Sequence, residues 1–365
     1  MIKAITFGPA RIPGPLTLLL STIGLFPVVL SKDCDEGNQP LTPSIMEHQL
    51  SALEKANTWF NSTPLTAASL KGKVVLVAFC TYTCINWLRA LPYVREWQEK
   101  YKDQGLIVIA VHTPEFIFER NIDNVRRSVG EMKIGFPIAV DNEYKIWNAF
   151  NNQYWPAIYL LDAKGRSAHH QFGEGGYEKT EQMIQHLLKQ AGAKNIAQEI
   201  VPVRGKGVEA TADWNNLGSQ ENYLGYERTE SFSSRGGKVA DKSCNYHIPS
   251  NFKTNQWAIA GNWTMKRNSV ILNNANGKIV YRFHARDLHV VMGASSGGTN
   301  IRFRVLIDGK PPGQDRGLDI DEQGNGVLNE QRLYQLVRQN GPITDRTFEI
   351  EFFDIGAEAF SFTFG

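Results

Sequence analysis

The stretch Val74-Val75-Leu76-Val77-Ala78-Phe79-Cys80-Thr81-Tyr82-Thr83-Cys84-Ile85-Asn86-Trp87 decides the fold. Val74–Phe79 is a continuous, β-branched apolar run, the pattern of a strand buried on both faces. From Cys84 to Tyr101 the period changes: Leu88, Leu91, Val94 and Trp97 share one side of a helix, and Pro92 is expected to kink it. Further along, Leu106–Val111 predicts a second buried strand, Glu119–Met132 a helix, Pro137–Val140 a short strand and Tyr144–Phe150 a short helix. Ala157–Asp162 predicts a strand turning at Lys164-Gly165 into a hairpin partner, Ala168–Phe172, with Tyr177–Gln190 as the closing helix. Upstream, Ser44-Ile45-Met46-Glu47 has capping-box spacing, and a helical pattern follows to about Phe60. Strands alternating with helices and ending in a hairpin imply an α/β domain of mixed sheet over residues 44–190.

Residues 191–213 lose periodicity in Gly, Lys and Pro and read as a linker. From residue 214 to 365 the texture changes to short alternating runs: Ile279–His284, Leu288–Met292, Ile301–Ile307, Arg332–Val337, Thr347–Phe353 and Ala359–Phe364. Turn signals such as Asn276-Gly277 and Asp308-Gly309 separate them, which argues for an all-β sandwich of jelly-roll or carbohydrate-binding-module type.

The 365 residues hold 39 Lys+Arg against 37 Asp+Glu, a net charge of +2 that gives no whole-chain signal for nucleic acid or an anionic membrane. Four cysteines are too few for a disulfide scaffold, so a redox role must rest on particular ones. Near the N-terminus, Lys3 and Arg11 precede an apolar run from Leu16 to Leu30 that Gly24 and Pro27 interrupt. It is short of the roughly 20 residues a bilayer span needs and suits a signal-peptide core, with Val29 and Ser31 at the cleavage site. Residues 1–31 therefore predict export to a periplasmic or other extracytoplasmic space, a retained N-terminal anchor being the alternative.

Cys84 carries the chemistry. It follows a buried strand and opens a helix, where free amide N–H groups and the helix dipole lower a thiol pKa, so an accessible thiolate nucleophile is expected. Trp155-Pro156 sits directly before the strand Ala157–Asp162; a cis bond there would turn a backbone edge toward that cysteine.

Residues 44–189 resemble the thioredoxin-like domain of DipZ-type thiol–disulfide oxidoreductases. The shared words are Leu70-Lys71-Gly72-Lys73-Val74-Val75-Leu76-Val77, Thr81-Tyr82-Thr83-Cys84-Ile85-Asn86, Val111-His112-Thr113-Pro114-Glu115-Phe116, Tyr154-Trp155-Pro156-Ala157 and Phe172-Gly173-Glu174-Gly175. The C-terminal part is similar to the β-sandwich that follows in such proteins: Tyr223-Leu224-Gly225-Tyr226, Phe283-His284-Ala285-Arg286-Asp287-Leu288 and Leu333-Tyr334-Gln335-Leu336-Val337-Arg338. The resemblance implies thiol–disulfide exchange with protein thiols, disulfides or a redox partner protein. It does not extend to the N-terminus, where the multi-spanning membrane domain of full-length DipZ has no counterpart in this sequence.

The departure from that family falls on the chemistry. The family has Trp where Cys80 stands and Cys where Trp87 stands, so its Cys-x-x-Cys reads Cys-Ile-Asn-Trp here. Thioredoxins also carry a buried Asp six residues before the nucleophile, a position held here by Ala78. Dithiol exchange between Cys84 and residue 87 is therefore excluded. Three readings remain: Cys80 substitutes as the resolving thiol, the alternative being a small buried space-filler; Cys84 acts alone and an external thiol resolves it; or Cys84 reduces peroxides with Thr81 in a Thr-x-x-Cys arrangement.

Tyr82, Asn86, Trp87, Trp155 and Pro156 are expected to form, with Thr81, the rim that grips a substrate, and His112 and Glu115 are candidate proton-transfer groups, a loop-capping role being the alternative. Asp319 to Glu330 partly matches EF-hand spacing, but strand-like flanks favour a hairpin, so neither a metal nor a cofactor is expected. Trp257, Trp263, Tyr281 and Phe283 give the sandwich an aromatic content compatible with glycan binding or with plain core. The competing reading of the whole chain is a redox-inactive interaction or carbohydrate-binding scaffold.

Overall fold

A computed structural model describes residues 49–295 and 300–365. Residues 1–31, read as a signal or anchor, and the capping-box reading at Ser44–Glu47 lie outside them. Among the described residues, no helix is long and apolar enough to cross a membrane.

The first half contains β1 (Thr58–Phe60), α1 (Ala67–Leu70), β2 (Val74–Cys80), α2 (Ile85–Tyr101), β3 (Leu106–His112) and α3 (Ile122–Glu131). After these come β4 (Ile138–Val140), α4 (Lys145–Ala149), β5 (Ala157–Leu161), β6 (Ser167–Phe172) and α5 (Tyr177–Gln190). The strands form one mixed sheet ordered β1-β4-β3-β2-β5-β6, with β2 parallel to β3 and antiparallel to β5. Every residue of β2 is buried, which is why its sequence shows no alternation. Leu76, Ala78 and Cys80 face a core with Leu91 and Val94 of α2 and Leu188 of α5, while Val75, Val77 and Phe79 face Ile146 and Trp147 of α4. Pro92 lies inside α2, which runs unbroken through it. One expectation fails: the chain is not helical up to Phe60. Only 49–52 and a 3-10 turn at Leu53–Lys55 are helical, and Thr58–Phe60 pairs antiparallel with β4. An edge strand of three residues is too short for its period to register.

The second half is entirely antiparallel in its named strands. It comprises β7 (Asn222–Tyr223), β8 (Ser243–Tyr246), β9 (Trp257–Met265), β10 (Val270–Leu272), β11 (Gly277–Phe283) and β12 (Asp287–Ala294). The remaining strands are β13 (Ile301–Ile307), β14 (Asn325–Leu328), β15 (Arg332–Arg338), β16 (Arg346–Phe352) and β17 (Ala357–Phe364). They follow the order β14-β13-β16-β11-β9-β10-β17-β12-β15, with β7 on β17 and β8 on β9. β9 turns the corner of the sandwich. Its first half pairs with β11 and its second with β10, and between them Gly261 takes φ 97°, a conformation that disfavours a Cβ. Trp257, Trp263, Tyr281 and Phe283 are all fully buried within this sandwich, so these four are core and offer no platform for a sugar ring. In the Asp-rich segment, Asp319 is ion-paired with Arg332 at 2.7 Å and Glu330 with Arg127 at 3.2 Å. The described residues hold no cluster of three metal-ligating side chains.

The two layers are joined by a shared core. Tyr223, Val291, Leu333 and Phe360 of the sandwich pack into the same apolar cluster as α2 and the adjacent face of β2. Phe360 meets Phe116 and Phe118 at ring distances of 5.2 and 4.8 Å. Arg89 of α2 is buried against Glu174 at 3.1 Å and donates to the Phe364 carbonyl at 3.3 Å. The segment 191–213 is strapped down: Val201 donates its N–H to the buried Glu181 at 2.9 Å, and Glu209 pairs with Arg95 at 2.5 Å. A shared core predicts one cooperative unit. Phe360→Ala should cost about 3–5 kcal/mol and lower the stability of both halves together, measured as one denaturation transition by probes in each. Two separated transitions in the wild-type chain would refute the shared core.

Candidate active site

Cys84 is the residue immediately before α2, with extended backbone (φ −76°, ψ 113°) as a cap residue adopts. The turn Thr81–Thr83 lifts it off the end of β2, and its own N–H donates to the Thr81 carbonyl at 3.3 Å. The residue is half-buried, and its Sγ lies 3.6 Å from the carbonyl oxygen of Trp155. The Trp155-Pro156 bond is cis, and the Trp155 indole donates to the Thr113 carbonyl at 3.0 Å. Cys84 and the cis Trp155-Pro156 peptide are therefore brought together.

The electrostatics are not as expected. The Cys84 thiol is pushed well above its ordinary value, first by burial and then by the negative charge of Glu221, to which Glu115 adds. The amides of Trp87 and Asn86 act on the sulfur in the opposite direction, without closing a full cap hydrogen bond. The resting form is thus the thiol, not the thiolate predicted from the helix start. Position at a helix N-terminus supplies one favourable contribution, and desolvation with two carboxylates outweighs it.

The Cys80 and Trp87 side chains line one small space. Both line a cavity of about 20 Å³ with Tyr82, His112 and residues of α3, and Cys84 is not among its walls. Cys80 is buried, all three described cysteines are free thiols, and burial pushes the Cys80 thiol strongly up. Trp87 and Tyr82, expected at the rim, are instead only 1% and 5% exposed. Tyr82 stacks on His112 at 5.7 Å, and burial lowers the His112 pKa to about 4, so this imidazole is neutral and faces Cys80, its register partner, within that cavity. The apolar side chain at every second position of β2 puts residue 80 on the α2 face of the sheet, which a reading of the Cys80-to-Cys84 spacing alone does not reveal.

Thr81 is also fully buried, and among the described residues its hydroxyl has no hydrogen-bond partner. Glu119 escaped the sequence reading. It is completely buried and accepts the Thr83 hydroxyl at 2.6 Å and the amides of Glu115 and Phe116 at 2.6 and 2.8 Å. It thereby ties the turn before Cys84 to the loop after β3. Burial raises its pKa to about 7. Glu115 does reach the site: its carboxylate accepts the Tyr223 hydroxyl at 2.5 Å and the Arg228 guanidinium at 3.2 Å. Arg228 stacks over the Tyr223 ring at 3.3 Å. Burial of its carboxyl, and then the negative charge of Glu115, raise the pKa of Glu221 to about 8. The C-terminal group Glu221, Tyr223 and Arg228 went unread, although Tyr223 heads one of the words shared with DipZ-type proteins; nothing local links position 223 to position 115.

Comparison with known proteins fits this architecture. The chain is 36% identical over 258 residues to protein DipZ of Mycobacterium bovis, which covers 69% of this chain and 35% of that one. It is 33% identical over 135 residues to the thiol-disulfide oxidoreductase YkuV of Bacillus subtilis, covering 89% of that protein and 37% of this chain. The chain belongs to the thioredoxin-like thiol–disulfide oxidoreductase family, in its DipZ-type form. Residues 219–365 match the family described as "Thioredoxin like C-terminal domain". A solved thioredoxin-like protein in its oxidized form is 33% identical over 38% of this chain and 90% of its own, with a TM-score of 0.34. The chain spans about a third of the length of the DipZ proteins it matches.

Two outcomes follow from the titrations. The alkylation rate of Cys84 by iodoacetamide should still be climbing at pH 9.5, with Cys80 unmodified in the folded protein; a plateau below pH 8 would contradict the raised thiol. Because the Glu119 pKa is raised from 4.5 to about 7, the folded protein binds a proton that the unfolded chain has lost between those values. Its contribution therefore makes stability fall as pH rises through that window, by about 3 kcal/mol, and Glu119→Gln should flatten that slope in urea titrations at pH 4.5 and 8.

Proposed function

We propose that this DipZ-type chain is a thiol–disulfide oxidoreductase that works through a single cysteine, Cys84, with an external thiol completing each cycle. The observation that carries the reading is the position of Cys84: half-buried at the start of α2, with the Trp155 carbonyl 3.6 Å from its sulfur, while Cys80 is a buried free thiol. In the first step the Cys84 sulfur attacks a substrate disulfide, a mixed disulfide forms, and the departing sulfur takes up the proton that Cys84 gives up. In the second step an external thiol attacks the mixed disulfide, the substrate leaves as a new disulfide with that thiol, and Cys84 is again a thiol. A raised thiol pKa slows this at neutral pH less than its thiolate fraction suggests. A thiolate of higher pKa is more nucleophilic, so about half of each tenfold loss on a logarithmic scale is recovered.

The relatives named as thiol-disulfide oxidoreductases support the reaction class and, with it, protein thiols or a redox partner as the other reactant. The residue pattern at 1–31 supports export, so the proposed setting is extracytoplasmic. A second reading, a redox-inactive interaction scaffold, is favoured by one observation, the protonated resting thiol. The peroxidase reading is disfavoured by the complete burial of Thr81, whose hydroxyl would have to meet a peroxide arriving from solvent.

Incubation with bis(2-hydroxyethyl) disulfide and mass spectrometry of the intact chain separates the two. One mixed disulfide per chain is expected at Cys84, retained in Cys80→Ser and lost in Cys84→Ser. An intramolecular Cys80–Cys84 disulfide would replace the one-cysteine scheme, and no adduct at any pH up to 9.5 would favour the scaffold.

A further inference from the structure

Glu119 is completely buried, and the one-cysteine scheme makes no use of it. Its two oxygens are divided between two pieces of chain. One accepts the hydroxyl of Thr83, the residue before the nucleophile, at 2.6 Å. The other accepts the amides of Glu115 and Phe116, in the loop after β3, at 2.6 and 2.8 Å. We propose that Glu119 is a positioning residue of the oxidoreductase: as a carboxylate it holds the Cys84 sulfur in its reactive place beside Trp155, and on taking up a proton it releases that hold. The inference rests on the one-cysteine reading and adds a control on it.

Three observations carry it. Thr83 is itself buried and is joined covalently to Cys84, whose own N–H donates to the Thr81 carbonyl across the same turn at 3.3 Å. That turn sets where α2 begins and where the sulfur points. The neighbour of the sulfur is tied to the same loop as the carboxylate: the Trp155 carbonyl lies 3.6 Å from Sγ, and the Trp155 indole donates to the Thr113 carbonyl at 3.0 Å. Glu119 thus fixes the turn that carries the nucleophile against the loop that seats its neighbour. The third observation is the proton count of these bonds. A carboxylate accepts all three donors, and charge strengthens each bond. A neutral carboxyl has a hydrogen of its own. With two amides on one oxygen that hydrogen sits on the other, so the bond to Thr83 reverses and the Thr83 hydrogen loses its acceptor.

Among the described residues, the titratable side chains that face Glu119 are Cys80 and Tyr82 at the end of β2, Tyr144 before α4 and Glu115 in its own loop. Burial, with a smaller contribution from Glu115, brings its protonation to about pH 7, so both forms are populated near neutrality. The charges that act most on the Cys84 sulfur are those of Glu221 and Glu115. The influence of Glu119 therefore runs through placement, and its sign is distinctive. A negative charge near a thiol suppresses the thiolate and slows it, whereas a carboxylate that places the sulfur speeds it.

The test compares the full wild-type chain with Glu119→Gln, which has the shape of the protonated acid and cannot ionise. Rates of adduct formation at Cys84 with bis(2-hydroxyethyl) disulfide are followed by mass spectrometry from pH 5.5 to 9.5. Glu119→Gln should match the wild type below pH 6 and fall about tenfold behind it above pH 8, because only the wild type gains an extra rise centred near pH 7. Thr83→Val, which deletes the hydroxyl, should lose that rise, and Thr83→Ser, which keeps it, should retain it. A purely structural role would displace the Glu119→Gln profile by the same factor at every pH, and that result overturns the proposal. So does a Glu119→Gln chain faster than the wild type above pH 8, which is the sign of a charge effect. The wild type alone also decides, whatever the folding of the variants: a profile with no extra rise between pH 6 and 8 refutes the control. Iodoacetamide, run in parallel, reads the placement of the sulfur without a disulfide. If the wild type forms no mixed disulfide, the reading of the function fails, and the alkylation profiles still judge Glu119.

Discussion

The loop from Thr113 to Arg120 is clamped between two β layers, and the arrangement around Cys84 depends on that clamp. Below, Glu119 collects two amides of the loop and the Thr83 hydroxyl into a fully buried carboxylate. Above, Phe360 packs on Phe116 and Phe118, and Tyr223 donates to Glu115. A buried carboxylate is tolerated only where its oxygens are saturated by donors, so the geometry of the loop and the satisfaction of Glu119 are one constraint. The sulfur inherits its surroundings from it: the carboxylate of Glu115 is close because the loop can go nowhere else.

This makes the sandwich more than an appended module. In a thioredoxin-like layer standing alone, the end of β3 and the start of α2 would face water, and a thiol at a helix start would be acidic. Here that surface is covered by apolar side chains and edged with carboxylates, and the same backbone position yields a protonated thiol. The environment, not the secondary structure, sets the acid–base state.

How much was legible in the sequence follows from range. The strands β2, β3 and β5 and the helices α2 and α5 were read from runs of adjacent residues, because burial on both faces or at a 3.6-residue period writes itself into local order. The neighbourhood of Cys84 and the Trp155-Pro156 peptide was legible because a helix start and an X-Pro at a strand start are local features. Trp87 and Tyr82 were misplaced because residue identity near a nucleophile does not say which face of the helix or turn it occupies. Tyr223 and Arg228 escaped because their meaning arises only when positions more than 100 residues apart, such as 115 and 223, come into contact, and Glu119 because its buried partner Thr83 lies 36 residues away.

The cavity shared by Cys80 and Trp87 has a further consequence for how such a chain can change. In the family pattern the large ring stands at position 80 and the small thiol at 87; here they are exchanged, and both side chains line the same small space. Two indoles there would overfill it, and two thiols would leave a hole the size of an aromatic ring. The two substitutions are therefore not independent events. A lineage passing from one arrangement to the other must cross either a strained intermediate or a hollow one, and only the hollow one would have kept a Cys-x-x-Cys pair on the way.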